Sequence, residues 1–208
     1  MMRCQIQANN YLSSNTNAFY HLPYTRMGQP GNPDYLNYMK NTFNDYPQSI
    51  LEAAVHELQN VLREDLPQIF QSLGFEELTV CVVPRAKAEE TFHANQQLFR
   101  TTVQTVIDQL NGFVDGTHYL RRHTNTRTTH LNFPIQNYNN DGLMPYPGIT
   151  RDTCVISPNI RGRNILLIDD IYTPGVNIDE DIINALIMMG ARIVTFYSVG
   201  RVQPRCES

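Results

Sequence analysis

Two runs of consecutive apolar residues stand out in the last third of the chain, and they predict buried strands. Residues 165–168 are four aliphatic residues without alternation, and residues 193–199 form a second β-rich run. An unalternated run is typical of a strand covered on both faces in a parallel sheet. Between them, apolar residues recur at helical spacing from Ile178 to Met189, and Gly190 is placed to end the helix. This order predicts a parallel strand, helix and strand unit.

Another apolar, β-rich run lies in the middle of the chain, at residues 78–83, and predicts a further strand. Apolar side chains on one face of residues 88–110 predict a long helix after it, with Gly112 beyond its end. The fold class that these patterns predict is α/β, with a mostly parallel sheet flanked by helices. Because 208 residues suffice for one substantial core, we expect residues 1–208 to form a single domain.

Two helices are predicted ahead of the strand at residues 78–83. Ser49 with Glu52 three residues later is a capping-box pattern for the start of the first helix. Pro67 is placed to start a second, short helix, which Gly74 is placed to end.

Two segments show no clear periodicity. Residues 1–48 are rich in Asn, Tyr and Pro, and we expect them to form either a small irregular hood or a segment that covers the edge of the sheet. Residues 121–152 have few apolar side chains and are too long for an ordinary connection. This long, flexible loop is predicted to be either a lid over a ligand or an exposed linker.

Polar residues follow the strand predicted at residues 165–168. Asp169 and Asp170 come directly after it, and the loop at residues 173–177 contains Gly175. Ligands of open α/β sheets lie at the carboxyl ends of the strands. Unpaired N–H groups of such a loop and of the first helical turn attract a phosphate. We therefore expect sugar and phosphate chemistry here, and the alternative is an ordinary strand-to-helix turn without a ligand.

Residues 165–177 resemble the phosphoribosyl pyrophosphate (PRPP) signature of type I phosphoribosyltransferases, which combines a hydrophobic strand, two acidic residues and a loop with Thr and Gly. The resemblance implies that Asp169 and Asp170 hold the ribose hydroxyls. It implies that the 5′-phosphate is held by Thr173, Pro174, Gly175, Val176 and Asn177.

The chain departs from the family pattern at two loop positions. The commonest form of the signature has Thr where this chain has Pro174 and Asn177. Pro174 has no N–H group, so one phosphate donor is missing, whereas Asn177 still offers an amide donor. A Pro-containing strand end leading to Asn95 and Gln96 is also similar to the ComF or amidophosphoribosyltransferase-like branch of the family.

Cations follow the strand predicted at residues 78–83, and the resemblance assigns them a role. Arg85 and Lys87 stand where the family binds the pyrophosphate of PRPP, and the alternative is a solvated turn. The resemblance also implies that Arg121 and Arg122 contact PRPP from the lid. The hood that grips the acceptor would come from the N-terminal aromatic segment or from residues 132–147.

The function implied by the resemblance is a Mg²⁺-dependent glycosyltransferase reaction of nucleotide metabolism. PRPP would give its phosphoribosyl group to a nitrogen acceptor, a nucleobase or an amine, and pyrophosphate would leave. Asp169 and Asp170 would be the catalytic residues, with Asp170 the first choice to accept a proton, and they would contact Mg²⁺ indirectly, through PRPP or water. The alternative is a non-catalytic regulator of the same fold that binds PRPP or a nucleotide.

Composition narrows the partners further. The net charge of −4 provides no basic face for nucleic acid. No apolar stretch is long enough to span a membrane, and no basic-then-apolar segment opens the chain, so we expect a cytoplasmic protein, which is compatible with a homo-oligomer. Four scattered cysteines without a C-x-x-C pair argue against a zinc finger and against a disulfide framework.

Overall fold

The computed structural model describes residues 1–40, 46–128, 138–144 and 149–203. The strands among these residues are β1 (Met2–Ile6), β2 (Thr16–Tyr24), β3 (Leu78–Val82), β4 (Phe113–Asp115), β5 (Leu120–Arg122), β6 (Cys154–Ile156), β7 (Asn164–Tyr172) and β8 (Ile193–Val202). The α-helices are α1 (Tyr35–Met39), α2 (Gln48–Leu73), α3 (Leu98–Ile107), α4 (Ile149–Thr153) and α5 (Ile178–Met188). Short 3-10 turns occur at Glu89–Thr91, Ala94–Gln96 and Pro158–Ile160.

Six strands form one sheet in the order β1-β2-β8-β7-β3-β4, and β5 pairs with β6 separately. β1 runs antiparallel to β2, and the other neighbours in the large sheet are parallel. The predicted fold class, an α/β protein with a mostly parallel sheet flanked by helices, is confirmed at this level.

β7 is buried on both faces, as its unalternated sequence predicts. Leu166 and Ile168 pack into the core formed with α1, α2 and α3. Ile165 and Leu167 pack into the core on the opposite face, which α5 covers. The strand extends to Tyr172, so the two acidic residues lie within its carboxyl end rather than after it. The helix and strand that follow are confirmed as α5 and β8, and Gly190 lies just beyond α5 with a φ of 98°.

The prediction of one long helix over residues 88–110 is wrong in its first half. The α-helix α3 begins only at Leu98, and two 3-10 turns precede it. His93 and Gln96 form a reciprocal capping box there, in which the His93 amide donates to Gln96 Oε1 at 2.9 Å. Phe92 fits the helical pattern, but it lies against the Arg85 guanidinium, whose carbon is 4.2 Å from its ring centroid.

The region before β3 is one helix instead of the predicted two. α2 runs for 26 residues with Pro67 inside it, and Gly74 ends it at a φ of 66°. The predicted capping box at Ser49 and Glu52 is absent, because the helix starts at Gln48 after Pro47 and has no side-chain cap. A continuous apolar face offsets the hydrogen bond that Pro67 cannot donate. That face includes the fully buried side chains of Leu58, Leu62, Leu66 and Ile69.

The N-terminal segment is more regular than its sequence indicates. β1 and β2 form the edge of the large sheet, and β2 pairs in parallel with β8. Polar pairs join β2 to the helix layer: His21 Nδ1 lies 2.9 Å from Asp65 Oδ2, and Tyr197 of β8 donates to the same oxygen at 2.8 Å. Asp65 is fully buried, so this network gives the polar side chain of His21 a structural role in β2.

The sequence predicts neither a disulfide framework nor a stretch that spans a membrane. Cys4, Cys81 and Cys154 are free thiols, and Cys206 lies outside the described residues. None of the helices in the described ranges is long and apolar enough to cross a bilayer.

Replacing Pro67 by Ala tests whether α2 is continuous. Pro67 is exposed inside the helix, so Pro67→Ala restores a hydrogen bond without disturbing the core. We expect the free energy of unfolding in urea to rise by about 1–2 kcal/mol. Gln68→Ala, at the exposed neighbouring position, should change it by less than about 0.5 kcal/mol. A loss of stability in Pro67→Ala would indicate a helix that starts at this proline.

Candidate functional site

The acid pair at the end of β7 is buried and shares one lysine. Asp169 and Asp170 are only 7% and 6% exposed. The Nζ atom of Lys40, directly after α1, lies 2.9 Å from Asp169 Oδ1 and 2.5 Å from Asp170 Oδ1. The same oxygens accept backbone hydrogen bonds, from the Asp170 amide at 2.8 Å and from the Ile171 amide at 2.6 Å. One oxygen of each carboxylate is therefore fixed.

The other oxygen of each carboxylate is free to bind a ligand. Neither Asp169 Oδ2 nor Asp170 Oδ2 accepts a hydrogen bond from any residue that the structure describes. Because ionised carboxylates only accept hydrogen bonds, the two free oxygens suit a ligand with neighbouring hydroxyl donors.

Burial and nearby charges shift the pKa values of Asp169, Asp179 and Lys40. Burial, assisted by the charge of Asp170, raises the pKa of Asp169 to about 7, although Lys40 opposes the shift. Asp179, in the first turn of α5, has a pKa well above its usual range because it is buried and near Asp169 and Glu180. Burial by itself lowers the pKa of Lys40, but the two carboxylates outweigh it and hold the lysine cationic.

The loop between β7 and α5 contains two residues with a left-handed backbone. Gly175 has a φ of 85°, a left-handed conformation that favours glycine. Asn177 is also left-handed, with a φ of 64°. In the described part of the chain, the amides at residues 175 and 177–179 donate no hydrogen bond. These donors lie at the N-terminus of α5, where they can bind an anion.

Asn177 occupies the N-cap position of α5, but its side chain makes no capping bond. Its Nδ2 atom donates to the Gly175 carbonyl at 3.0 Å, and its Oδ1 atom accepts from Asn9 Nδ2 at 3.1 Å. The side chain therefore stabilises the loop, with Asn9 from the β1–β2 connection as a contact that sequence reasoning did not find.

Arg85 and Lys87 follow β3, which lies beside β7 in the sheet. The Val83 amide donates to the Ile168 carbonyl at 2.9 Å, so the ends of these two strands are adjacent. Arg85 Nη2 donates to the Lys40 carbonyl at 2.7 Å, and its Nη1 atom donates to the Gln96 carbonyl. Arg85 thus joins the cationic loop to the lysine that binds the acid pair.

A narrow, partly open cleft lies beside this loop. Its floor contains Phe99, and Glu89 is its acidic lining residue, paired with Arg100 at 2.8 Å. The basic side chains that line it are Lys40, Arg85, Lys87, Arg100 and Arg122. The excess of positive charge suits an anionic group of a ligand.

The two arginines predicted to act from the lid differ in position. Arg122 is buried, donates from Nε to the Arg85 carbonyl at 2.7 Å and from Nη1 to Thr153 Oγ1 at 2.5 Å, and lines the cleft. Arg121 is exposed and is not among the residues that line it.

Parts of the predicted lid at residues 121–152 pack onto the cationic loop. The Thr126 amide donates to the Ala86 carbonyl at 2.8 Å, and Lys87 Nζ lies 2.9 Å from Asp141 Oδ1. Residues 129–137 and 145–148, which include most of the predicted acceptor-binding stretch, lie outside the described residues. Closure of a lid stays a prediction.

No protein-family model matches the chain, and no curated protein matches its sequence. What the site can do follows from its own groups. The acid pair lies in the carboxyl end of β7, and amides without a partner in the described part of the chain follow it in the loop before α5. The basic cleft, which Lys40 also lines, follows the neighbouring strand β3. Such an arrangement can bind a hydroxyl-bearing ligand with an anionic group at each end.

The raised pKa of Asp169 predicts how stability depends on pH. Its folded value of about 7 exceeds the ordinary value of 3.8, so the folded state retains a proton that the unfolded state releases in this interval. Stability should therefore fall as the pH rises from about 4 to about 7. Asp169→Asn should weaken this decline in urea unfolding measured across that range. The exposed Asp108→Asn should reproduce the wild-type slope, and an equal slope in Asp169→Asn would contradict the prediction.

Proposed function

We propose that this protein binds PRPP together with Mg²⁺ and transfers the phosphoribosyl group to a nitrogen acceptor, with release of pyrophosphate. The observation that carries the proposal is that, within the described residues, the Oδ2 atoms of Asp169 and Asp170 and several amides of the following loop have no hydrogen-bond partner. The α/β architecture, with the acid pair at the end of a central parallel strand, is compatible with a type I phosphoribosyltransferase fold.

The acid pair and the loop before α5 would bind the ribose and its 5′-phosphate. Two adjacent ribose hydroxyls are donors that match the two free carboxylate oxygens. The 5′-phosphate matches the amides of residues 175 and 177–179, which are unpaired within the described part of the chain. Only two residues, Ile171 and Tyr172, separate the acid pair from this loop.

The basic cleft after β3 would bind the pyrophosphate group of PRPP. Arg85 and Lys87 follow the strand next to β7, and Arg100 and Arg122 line the same cleft. Fixed cations stabilise negative charge that grows on a leaving group. Thr126 and Asp141 of the predicted lid contact this loop, and a closed lid would keep water from the ribose carbon as the bond to pyrophosphate breaks.

The residues present fit Mg²⁺ as a cation carried by the ligand. No group of three or more His, Cys, Asp and Glu side chains in the described ranges is arranged to hold a metal by itself. Mg²⁺ commonly binds to one or two carboxylates together with substrate phosphates. The ammonium group of Lys40, which lies between Asp169 and Asp170, shows that the pair accommodates positive charge. The pair would contact Mg²⁺ through water or the ribose hydroxyls. When bound, the ion would neutralise charge on the pyrophosphate.

A carboxylate of the pair can accept the proton that the nitrogen acceptor loses. Sequence reasoning places Asp170 first for this role, and the pKa of Asp169, raised to about 7 by burial, makes Asp169 a second candidate. A group with a pKa near neutrality exchanges protons efficiently at neutral pH.

The alternative is a regulator that binds PRPP without turnover. Pro174 removes one donor from the phosphate loop, and Asp179, Glu180 and Asp181 bring negative charge to the first turn of α5. Both features weaken phosphate binding. The alternative keeps the same ligand and differs only in catalysis.

Binding and turnover of PRPP test the proposal. Isothermal titration with PRPP and Mg²⁺ should show saturable binding, and pyrophosphate should be released with one of a panel of purines, pyrimidines, ammonia and glutamine. Asp169→Asn combined with Asp170→Asn should abolish both signals, because each substitution removes the negative charge and replaces one acceptor oxygen by an NH₂ donor. Binding without release from any acceptor would support the regulator. No binding at millimolar PRPP would reject both functions.

Gly175→Val, compared with Gly162→Val, tests the phosphate loop. Both glycines have a positive φ, 85° and 70°, and a Cβ atom at either position meets nothing within 4 Å. Each substitution should therefore lower stability by about 1–3 kcal/mol through backbone strain alone. Gly162 precedes β7 at the opposite end of the strand, so only Gly175→Val should lose PRPP affinity in titration. Unchanged affinity in a folded Gly175→Val protein would remove the loop from the site.

A further inference from the structure

Lys40 occupies the position in which a cation would bind the acid pair directly. Its ammonium group lies between the two Oδ1 atoms, at 2.9 Å and 2.5 Å. A divalent cation seeks the same charged oxygens. Because both Oδ1 atoms also accept backbone hydrogen bonds, the carboxylates cannot easily turn to offer them elsewhere.

Lys40 is anchored on several sides. Met39, the preceding residue, is completely buried in the core. The Lys40 carbonyl accepts the 2.7 Å hydrogen bond from Arg85, and its ammonium lies 5.6 Å from the centre of the Phe99 ring. These contacts place the lysine at the pair by packing, by the backbone and by charge.

We propose that Lys40 determines which ligand the acid pair accepts: it takes the direct cation position at the Oδ1 atoms and presents the Oδ2 atoms to a pair of neighbouring hydroxyls. The pair is then a receptor for a vicinal diol, and a metal ion reaches it only as part of a ligand. Lys40 acts through the two aspartates and is a positioning residue. The identification of the diol as ribose rests on the proposed function, whereas the exclusion of a free metal ion does not.

The buried charge near Lys40 supports this assignment. Asp179 is also buried near Asp169, and its Oδ1 atom has no hydrogen-bond partner in the described part of the chain. Without the lysine, the acid pair would have no ammonium between its carboxylates, with further negative charge from Asp179 nearby, and carboxylate oxygens bind divalent cations. Removal of Lys40 should therefore turn a diol site into a metal site.

The first experiment titrates Mn²⁺ alone and follows free Mn²⁺ by electron paramagnetic resonance. Lys40→Met should bind Mn²⁺ at least about tenfold more tightly than wild type, because an opposing charge is lost. Lys40→Arg should stay near wild type. Arg163→Gln removes the same charge beside the exposed Glu77 at the opposite end of β7, and it should also stay near wild type.

The gain in Mn²⁺ affinity must depend on the acid pair. Lys40→Met combined with Asp170→Asn should therefore bind Mn²⁺ no more tightly than wild type. Equal Mn²⁺ affinity in Lys40→Met and wild type would overturn the proposal, and so would an equal gain in Arg163→Gln. Thermal unfolding checks that each variant is folded. If Lys40→Met does not fold, Lys40→Gln replaces it, because Gln removes the charge while retaining a donor to the carboxylates. Lys40→Gln should then show the same gain in Mn²⁺ affinity over wild type.

The second experiment measures diol recognition without metal or pyrophosphate. Ribose 5-phosphate and 2-deoxyribose 5-phosphate are titrated in the presence of a chelator. In wild type, loss of the 2-hydroxyl should weaken binding about tenfold, as expected for a hydrogen bond to a charged group. In Lys40→Met this difference should disappear, and in Lys40→Arg it should return. A difference that persists in Lys40→Met would overturn the positioning role.

The two experiments separate this inference from the proposed function. If wild type binds neither sugar phosphate nor PRPP, the proposed function fails, and the Mn²⁺ titration still decides whether Lys40 excludes a free cation. If wild type binds PRPP but Lys40→Met gains no Mn²⁺ affinity, the proposed function stands and the role of Lys40 is rejected.

Discussion

The placement of two adjacent carboxylates at the buried end of β7 is the constraint on which this structure depends. Two like charges removed from water are unfavourable unless a cation and hydrogen-bond donors compensate them. Lys40 and two backbone amides provide that compensation. Lys40 donates to both Oδ1 atoms, and one amide donates to each of them. The short helix α1, the burial of Met39 and the bond from Arg85 to the Lys40 carbonyl all serve to hold this lysine in place.

The order of the strands sets the neighbours of the acid pair. β7 lies between β8 and β3, and all three run in the same direction. Their carboxyl ends therefore bring the loop before α5 and the basic loop after β3 to the same end of the sheet. We propose that PRPP spans this end, with its 5′-phosphate at the loop, its ribose at the acid pair and its pyrophosphate in the basic cleft.

Local patterns predicted the parts of the site that depend on local chemistry. The buried strand at residues 165–168, the acid pair and the glycine-containing loop after them could be predicted from consecutive residues. Lys40 could not, because its contacts join residues 129 and 130 positions apart and no motif marks it. The predicted helix boundaries were wrong where tertiary packing overrode a local signal. The apolar face of α2 continues through Pro67, and Phe92 packs against Arg85 instead of extending α3.

A crystal structure of the protein with PRPP and Mg²⁺ tests the central claim most directly, because it locates every group of the ligand. We predict the ribose hydroxyls within hydrogen-bond distance of Asp169 Oδ2 and Asp170 Oδ2, with Lys40 still bound to the Oδ1 atoms. The 5′-phosphate should contact the amides of residues 175 and 177–179, and the pyrophosphate should lie beside Arg85. A ribose bound away from the acid pair, or a phosphate that leaves these amides unpaired, would contradict the account.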